Sequence, residues 1–139
     1  MHIGQVAELT GLSLRTIRHY EEVGLVPASA RSQGGFRLYT AGDVERLMVI
    51  RRMKPLGFTL EQMRELLRVT DLLQDHAAAG RLSEAELRGC RDRLESFERT
   101  ARERCEVLRT QARWAEEFAA DLRHRAMEIA PAPASPGNR

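Results

Sequence analysis

At 139 residues the chain is long enough for one domain, or for a small domain with an extension. Hydrophobic residues make up 42%, charged residues 30% and aromatics only 5%, which fits a helical protein with a modest core and disfavours a β-sandwich. The formal net charge is +2 and no apolar run is long enough to cross a bilayer, so neither a strongly charged whole-chain surface nor a membrane span is expected.

Charge is unevenly placed along the chain. Residues 1–70 carry ten Lys/Arg against seven Asp/Glu, a balance of +3, whereas residues 71–139 carry twelve against thirteen, a balance of −1. The first half is therefore the nucleic-acid side. The basic residues are 21 Arg and one Lys, Lys54; a bias this complete reflects genome composition and is given no functional weight. Two cysteines, Cys90 and Cys105, make no disulfide framework, and with no signal peptide the expected location is cytoplasmic.

Ile3, Val6, Ala7 and Leu9 predict a first helix ended by Gly11. Leu12 fills the corner and Ser13 stands where an N-cap belongs, so a second helix follows after a turn short enough for a helix-turn-helix. On it Leu14 and Ile17 share one face, while steps of three and four put Arg15, Arg18, His19 and Glu22 on the opposite one, with Thr16 and Tyr20 at the boundary. Gly24 and Pro27 end it. Gln33-Gly34-Gly35 predicts a tight β-turn, and alternation beyond it places Phe36 and Leu38 inward and Arg37 and Tyr39 outward. This is a wing.

Thr40 to Asp43 reads as a capping box opening a third helix through Val44, Leu47, Met48 and Ile50, stopped at Pro55 to Gly57. Thr59 to Gln62 opens a fourth through Leu60, Met63, Leu66 and Leu67, which weakens after Val69 into an expected linker at 71–82. Ser83 to Glu86 is a third capping box. From it runs the longest element, with apolar or small residues at Leu87, Cys90, Leu94, Phe97, Ala101, Cys105, Leu108, Ala112, Ala115, Ala119 and Leu122. Their average spacing of about 3.5 residues is that of a coiled-coil seam. A helix over 83–127 is roughly 65 Å long at 1.5 Å per residue, so it needs a partner, most simply its twin. Residues 128–139 hold three prolines and no periodicity, and are expected to be disordered.

Several of these segments together resemble the MerR family of transcription regulators. Ile3-Gly4-Gln5-Val6-Ala7 looks like the family's first helix, and Thr16-Ile17-Arg18-His19-Tyr20-Glu21-Glu22-Val23-Gly24-Leu25-Val26 like its second. Arg31, with Gly35-Phe36-Arg37-Leu38-Tyr39, resembles the wing, and Leu56-Gly57-Phe58-Thr59-Leu60 the junction of the third and fourth helices. The resemblance covers residues 2–70 in detail. It implies a mainly α fold: a winged helix-turn-helix DNA-binding head at 1–70, then a long helix forming an antiparallel coiled coil in a homodimer.

The resemblance also implies a function, control of transcription without catalysis. The dimer would bend and untwist promoter DNA whose spacer is too long, so that RNA polymerase holoenzyme engages both promoter elements. Arg15, Arg18 and His19 would enter or edge the major groove, and Tyr20, Arg37 and Tyr39 would grip phosphates. Arg31 and Lys54 are further phosphate candidates, and Ser13, Thr16 and Gly35 belong to the same surface. Leu87, Leu94, Phe97, Ala101, Leu108, Ala112 and Leu122 would form the dimer seam. An architectural or recombination-accessory DNA binder without effector response is the alternative, and a protein-binding coiled-coil adaptor the third reading.

Sensing is the least legible part. Cys90 and Cys105 lie fifteen residues apart, about 22 Å at helical rise, so they cannot share an ion within one chain. At seam positions they read as small hydrophobes, with redox sensing as the other possibility. His2, His19, His76 and His124 show no metal-ligand spacing, and neither a cofactor nor an effector is evident. Trp114 and Phe118 sit one turn apart; packing against the partner's head is expected of them, a pocket for a hydrophobic effector being the other use.

Overall fold

A computed structural model describes residues 1–27, 30–31, 33–129 and 131, and only the backbone at Ala30 and Arg31. The order is α1 (Ile3–Thr10), α2 (Leu14–Glu22), β1 (Ala30–Arg31), β2 (Arg37–Leu38), α3 (Ala41–Met53), a 3-10 turn (Lys54–Leu56), α4 (Leu60–Ala79) and α5 (Glu84–Glu128). The roles expected of the Arg31 side chain and of the residues after 131 lie outside the described residues.

The helix starts are set by local side-chain caps. Ser13 Oγ accepts from the Thr16 amide, and Thr40, Thr59 and Ser83 each accept from the amide three residues on while Asp43, Gln62 and Glu86 answer at the cap's own N–H. Gly11 ends α1 with φ 71°, a backbone that side-chain-bearing residues seldom adopt. Leu12 N–H then donates to Thr10 Oγ1, whose own hydroxyl donates back to Val6 O at 2.8 Å, so the turn between α1 and α2 is tied by a buried threonine.

The chain divides into two compact units, residues 1–101 and 102–139. In the first, Val6, Ile17, Leu25, Val26, Leu47, Ile50, Met63 and Leu67 form a core that excludes solvent almost completely. The hairpin is a two-stranded antiparallel ribbon with Ala30 opposite Leu38 and Arg31 opposite Arg37, and Gly35 at φ 79° turns it.

Two expectations change here. The stretch read as a linker at 71–82 is helical through Ala79: Gly80 (φ 61°) closes α4, and His76 Nδ1 accepts from the Leu82 amide, leaving only a short connection. The first unit also extends well past residue 70. Phe97 and Ala101 of α5 pack against the head core, Phe97 with its ring 6.0 Å from that of Phe58, and Cys90 is buried within the same unit. These positions of the expected seam are used, at least in part, by the chain's own head. Apolar periodicity identifies a buried face without saying what buries it.

The described residues of the second unit are helical through Glu128. Leu108, Trp114, Phe118, Leu122 and Met127 are all exposed on it, with Trp114 at 62% and Phe118 at 63%. Among the described residues no helix is long and apolar enough to cross a membrane, and no group of three or more His, Cys, Asp or Glu is placed to hold a metal ion.

Candidate nucleic-acid interface

α2 is the short helix on which the candidate site is built. Ile17 and Tyr20 are its buried residues, whereas Ser13, Arg15, Arg18 and His19 are exposed and Thr16 is half-buried. Leu14, expected on the buried face, is 42% exposed, because it sits in the first turn before the helix reaches the core.

The exposed residues divide onto two sides of α2. On one, Arg15, Thr16, His19 and the edge of Tyr20 line an open groove of about 430 Å³ together with Leu12, Arg51, Lys54 and Pro55. Three cations and no carboxylate line it, so the field inside favours an anion. Lys54 arrives there because α3 stops at Met53 and the Lys54–Leu56 turn, ended by Gly57 at φ 76°, carries it toward α2. Arg51 is the residue sequence reasoning missed. It lies three residues before Lys54, a spacing that puts both on one helix face, and it also donates to the Thr10 carbonyl at 2.8 Å. Among the described residues Arg15, Arg18 and Lys54 make no ion pair, which leaves their charge available for a ligand.

On the other side, Arg18, Glu21 and Glu22 face the hairpin across a cleft of about 410 Å³ lined also by His2, Gly35, Phe36, Arg37 and Tyr39. Here the wing's faces are the reverse of those expected. Phe36 is 68% exposed and edge-on to His2, while Tyr39 is only 3% exposed. Tyr39 Oη donates to Glu21 Oε2 at 2.6 Å, and its backbone N–H donates to Met1 O at 2.7 Å. Burial first, then the hydrogen bond and charge of Glu21, push the Tyr39 phenol above its ordinary value.

Arg37, whose side chain is 9% exposed, lies with Nε 2.9 Å from Glu21 Oε1, an ion pair too oblique for a hydrogen bond. Its guanidinium also donates to Pro27 O and stands 4.9 Å from the Tyr39 ring centre. The outward, phosphate-gripping posture expected of Arg37 and Tyr39 is therefore not the one adopted. A two-residue strand is too short for alternation to fix its faces, and the carboxylate of Glu21 draws both polar groups inward. Tyr20 is likewise buried, at 3% exposure, with only its edge on the groove.

Other arginines serve the backbone next to α2. Arg64 donates to Val23 O at 2.8 Å and Arg46 to Leu25 O at 3.0 Å, the latter also gripping Asp71 through two short contacts. The count of basic residues in the first half thus overstates the charge offered to a ligand.

Comparison with known proteins bears on this arrangement. The family profile described as MerR HTH family regulatory protein matches residues 1–70, and the one described as MerR, DNA binding matches residues 44–125. The chain belongs to the MerR family. Nodulation protein NolA of Bradyrhizobium elkanii is 42% identical over 96 residues, which cover 66% of this chain and 44% of NolA. The HTH-type transcriptional regulator YfmP of Bacillus subtilis is 34% identical over 119 residues, covering 85% of this chain and 84% of YfmP. This MerR-family chain spans less than half the length of the NolA relatives it matches. Among solved structures, HiNmlR, described as a MerR family regulator lacking the sensor domain and bound to promoter DNA, shares the fold. It has a TM-score of 0.64 and 21% identity, over 93% of this chain and 89% of that one.

Proposed function

We propose that this chain is a DNA-binding transcriptional regulator that acts as a homodimer on promoter duplex. The observation that carries the reading is the groove beside α2, where Arg15, Arg51 and Lys54 converge with no carboxylate among its lining residues. A duplex offers regularly spaced phosphates on either side of the groove a helix enters, and cations flanking α2 complement that spacing. Arg15, Arg18 and His19 are the candidates for base edges, with Ser13 and Thr16 beside them. Lys54 and Arg51 are assigned to phosphates. Family membership and the DNA-binding profile support the same reading, and HiNmlR adds a fold-level analogy.

The homodimer rests on the second unit, where Leu108 and Leu122 of the expected seam present apolar surface to water. Ala112 lies on the same periodicity, and Leu87 and Leu94, half-buried in the first unit, continue it. An antiparallel twin covers such a stripe at the spacing a coiled coil requires. Two heads then grip one duplex, bend and untwist it, and let RNA polymerase engage a promoter whose spacer is too long; the setting is cytoplasmic.

A gel shift across a salt series tests the first step. With six to ten phosphates contacted, affinity falls by on the order of 10³–10⁵ between 50 and 200 mM salt. A protein-binding adaptor shows no such slope. In vitro transcription from promoters of graded spacer length tests the second. An effect on transcription that persists unchanged at normal spacing refutes the untwisting mechanism and leaves an architectural DNA binder.

A further inference from the structure

We propose that Glu21 is a positioning residue for the wing: its carboxylate, on the last turn of α2, clamps the hairpin in the orientation it presents to DNA. The inference rests on the DNA-binding reading above. A carboxylate beside a polyanion site opposes binding through repulsion, so its presence calls for an offsetting role. Glu21 has one in its geometry. Oε2 takes the Tyr39 hydroxyl at 2.6 Å and Oε1 faces Arg37 Nε at 2.9 Å, so one oxygen is committed to β2 and the other to the residue just after it.

The hairpin depends on such contacts. A two-stranded ribbon is marginal by itself in water, and here each strand has two residues. Its largest apolar side chain, Phe36, is 68% exposed and meets His2 edge-on. The Tyr39 ring joins the head core, and polar contacts add to it: Arg37 and Tyr39 on Glu21, Arg37 on Pro27 O, and the Tyr39 amide on Met1 O. Among these polar contacts, those to Glu21 reach α2 itself. The clamp therefore fixes the distance between α2 and the wing, which is the distance between two neighbouring places of contact on a duplex.

Glu22 supplies the internal control. It lines the same cleft and bears the same charge, but it is exposed and has no ion-pair or hydrogen-bond partner among the described residues. If carboxylates here act on DNA only through repulsion, removing either charge strengthens binding. If Glu21 positions the wing, the two substitutions act with opposite sign.

The test uses the full chain and a short duplex selected from a random pool for binding to the wild type, with affinity and hydroxyl-radical footprint as readouts. Glu21→Gln keeps an acceptor for Tyr39 but turns a neutral amide toward Arg37. It is expected to weaken binding roughly tenfold and to lose the flanking backbone protection while the central protection persists. Tyr39→Phe, which keeps the ring under Arg37 and removes only the hydroxyl, moves the same way by about threefold. Glu22→Gln binds as well as wild type or tighter. Glu21→Gln with an undiminished footprint and unchanged or tighter binding overturns the proposal, as does a footprint loss shared equally by Glu22→Gln. Hydrogen exchange in the free protein gives an arm independent of DNA: the amides of residues 37–39 exchange faster in Glu21→Gln and Tyr39→Phe. Unchanged exchange there refutes the clamp even if the wild type binds no duplex in the pool, a result that by itself removes only the regulator reading. If Glu21→Gln does not fold, Tyr39→Phe decides.

Discussion

Phe97 separates two uses of the long helix, because its position fits both a dimer seam and the head core. Its ring stands 6.0 Å from that of Phe58 at 52°, and Phe58 is itself 8% exposed. Truncation of a fully buried Phe costs about 3–5 kcal/mol; Phe97 is half-buried, so Phe97→Ala is expected to cost about 2–3 kcal/mol. For a chain of this size that lowers the melting temperature by roughly 5–10 °C. A double-mutant cycle with Phe58→Leu isolates the ring contact, for which about 0.5–1.5 kcal/mol of coupling is expected. Urea unfolding at widely separated protein concentrations is the assay. Loss of a head-core contact appears at every concentration, whereas loss of a seam contact appears only where the dimer is populated and shrinks as the protein is diluted. Leu122→Ala, from a side chain 50% exposed in the second unit, gives the comparison with the opposite dependence. Coupling to Phe58 below about 0.3 kcal/mol, with a penalty for Phe97→Ala that vanishes on dilution, refutes the assignment of Phe97 to the head.

Four further outcomes are expected. Lys54→Ala lowers DNA affinity about equally on all sequences and reduces the salt slope by about 1 per site, read from gel shifts across a salt series. Arg51→Met does the same and also lowers thermal stability, since it leaves the Thr10 carbonyl without its charged donor; this loss is about 1–2 kcal/mol. Gly11→Ala destabilises the head by about 1–2 kcal/mol in urea unfolding although a Cβ there meets nothing nearer than 3.8 Å, because the penalty lies in the backbone at φ 71°. Tyr39 gives a pH signature. Its folded value is raised above 10.0, so the unfolded chain loses that proton first as pH climbs. The contribution is fully present below pH 10.0 and is lost as pH rises through the folded value. Wild type therefore destabilises more steeply above pH 10.0 than Tyr39→Phe, as urea midpoints across that range measure.

Much of the head was legible because its signals are local. Caps at Ser13, Thr40, Thr59 and Ser83 and the glycine stop at Gly11 each specify a boundary within a few residues. The exposure of Arg15, Arg18, His19 and Lys54 was readable for the same reason, since all four lie on short elements in or near the second helix. The illegible parts depend on groups far apart in the chain. Nothing near Tyr39 reveals that Glu21, eighteen residues earlier, takes its hydroxyl, so alternation pointed the wing's polar residues the wrong way. Nothing in a 3.5-residue period tells Phe97 whether its neighbour is Phe58 or a second chain. The run from Val69 to Ala79 lost its apolar stripe but not its helix, since Ala77, Ala78 and Ala79 favour that backbone whether or not a face is buried.

The arginines spent on backbone carbonyls have a mechanical consequence. Val23, Leu25 and Pro27 each give their oxygen to a guanidinium from a different element, Arg64 of α4, Arg46 of α3 and Arg37 of β2. The segment leaving α2 is thus braced from three directions, and Arg51 braces the far end of α1 in the same way. A ligand that tilts α2 cannot do so against a slack loop; the load passes at once into α3, α4 and the hairpin. A tilt of α2 would have to stretch these charged contacts before it moved the segment that follows.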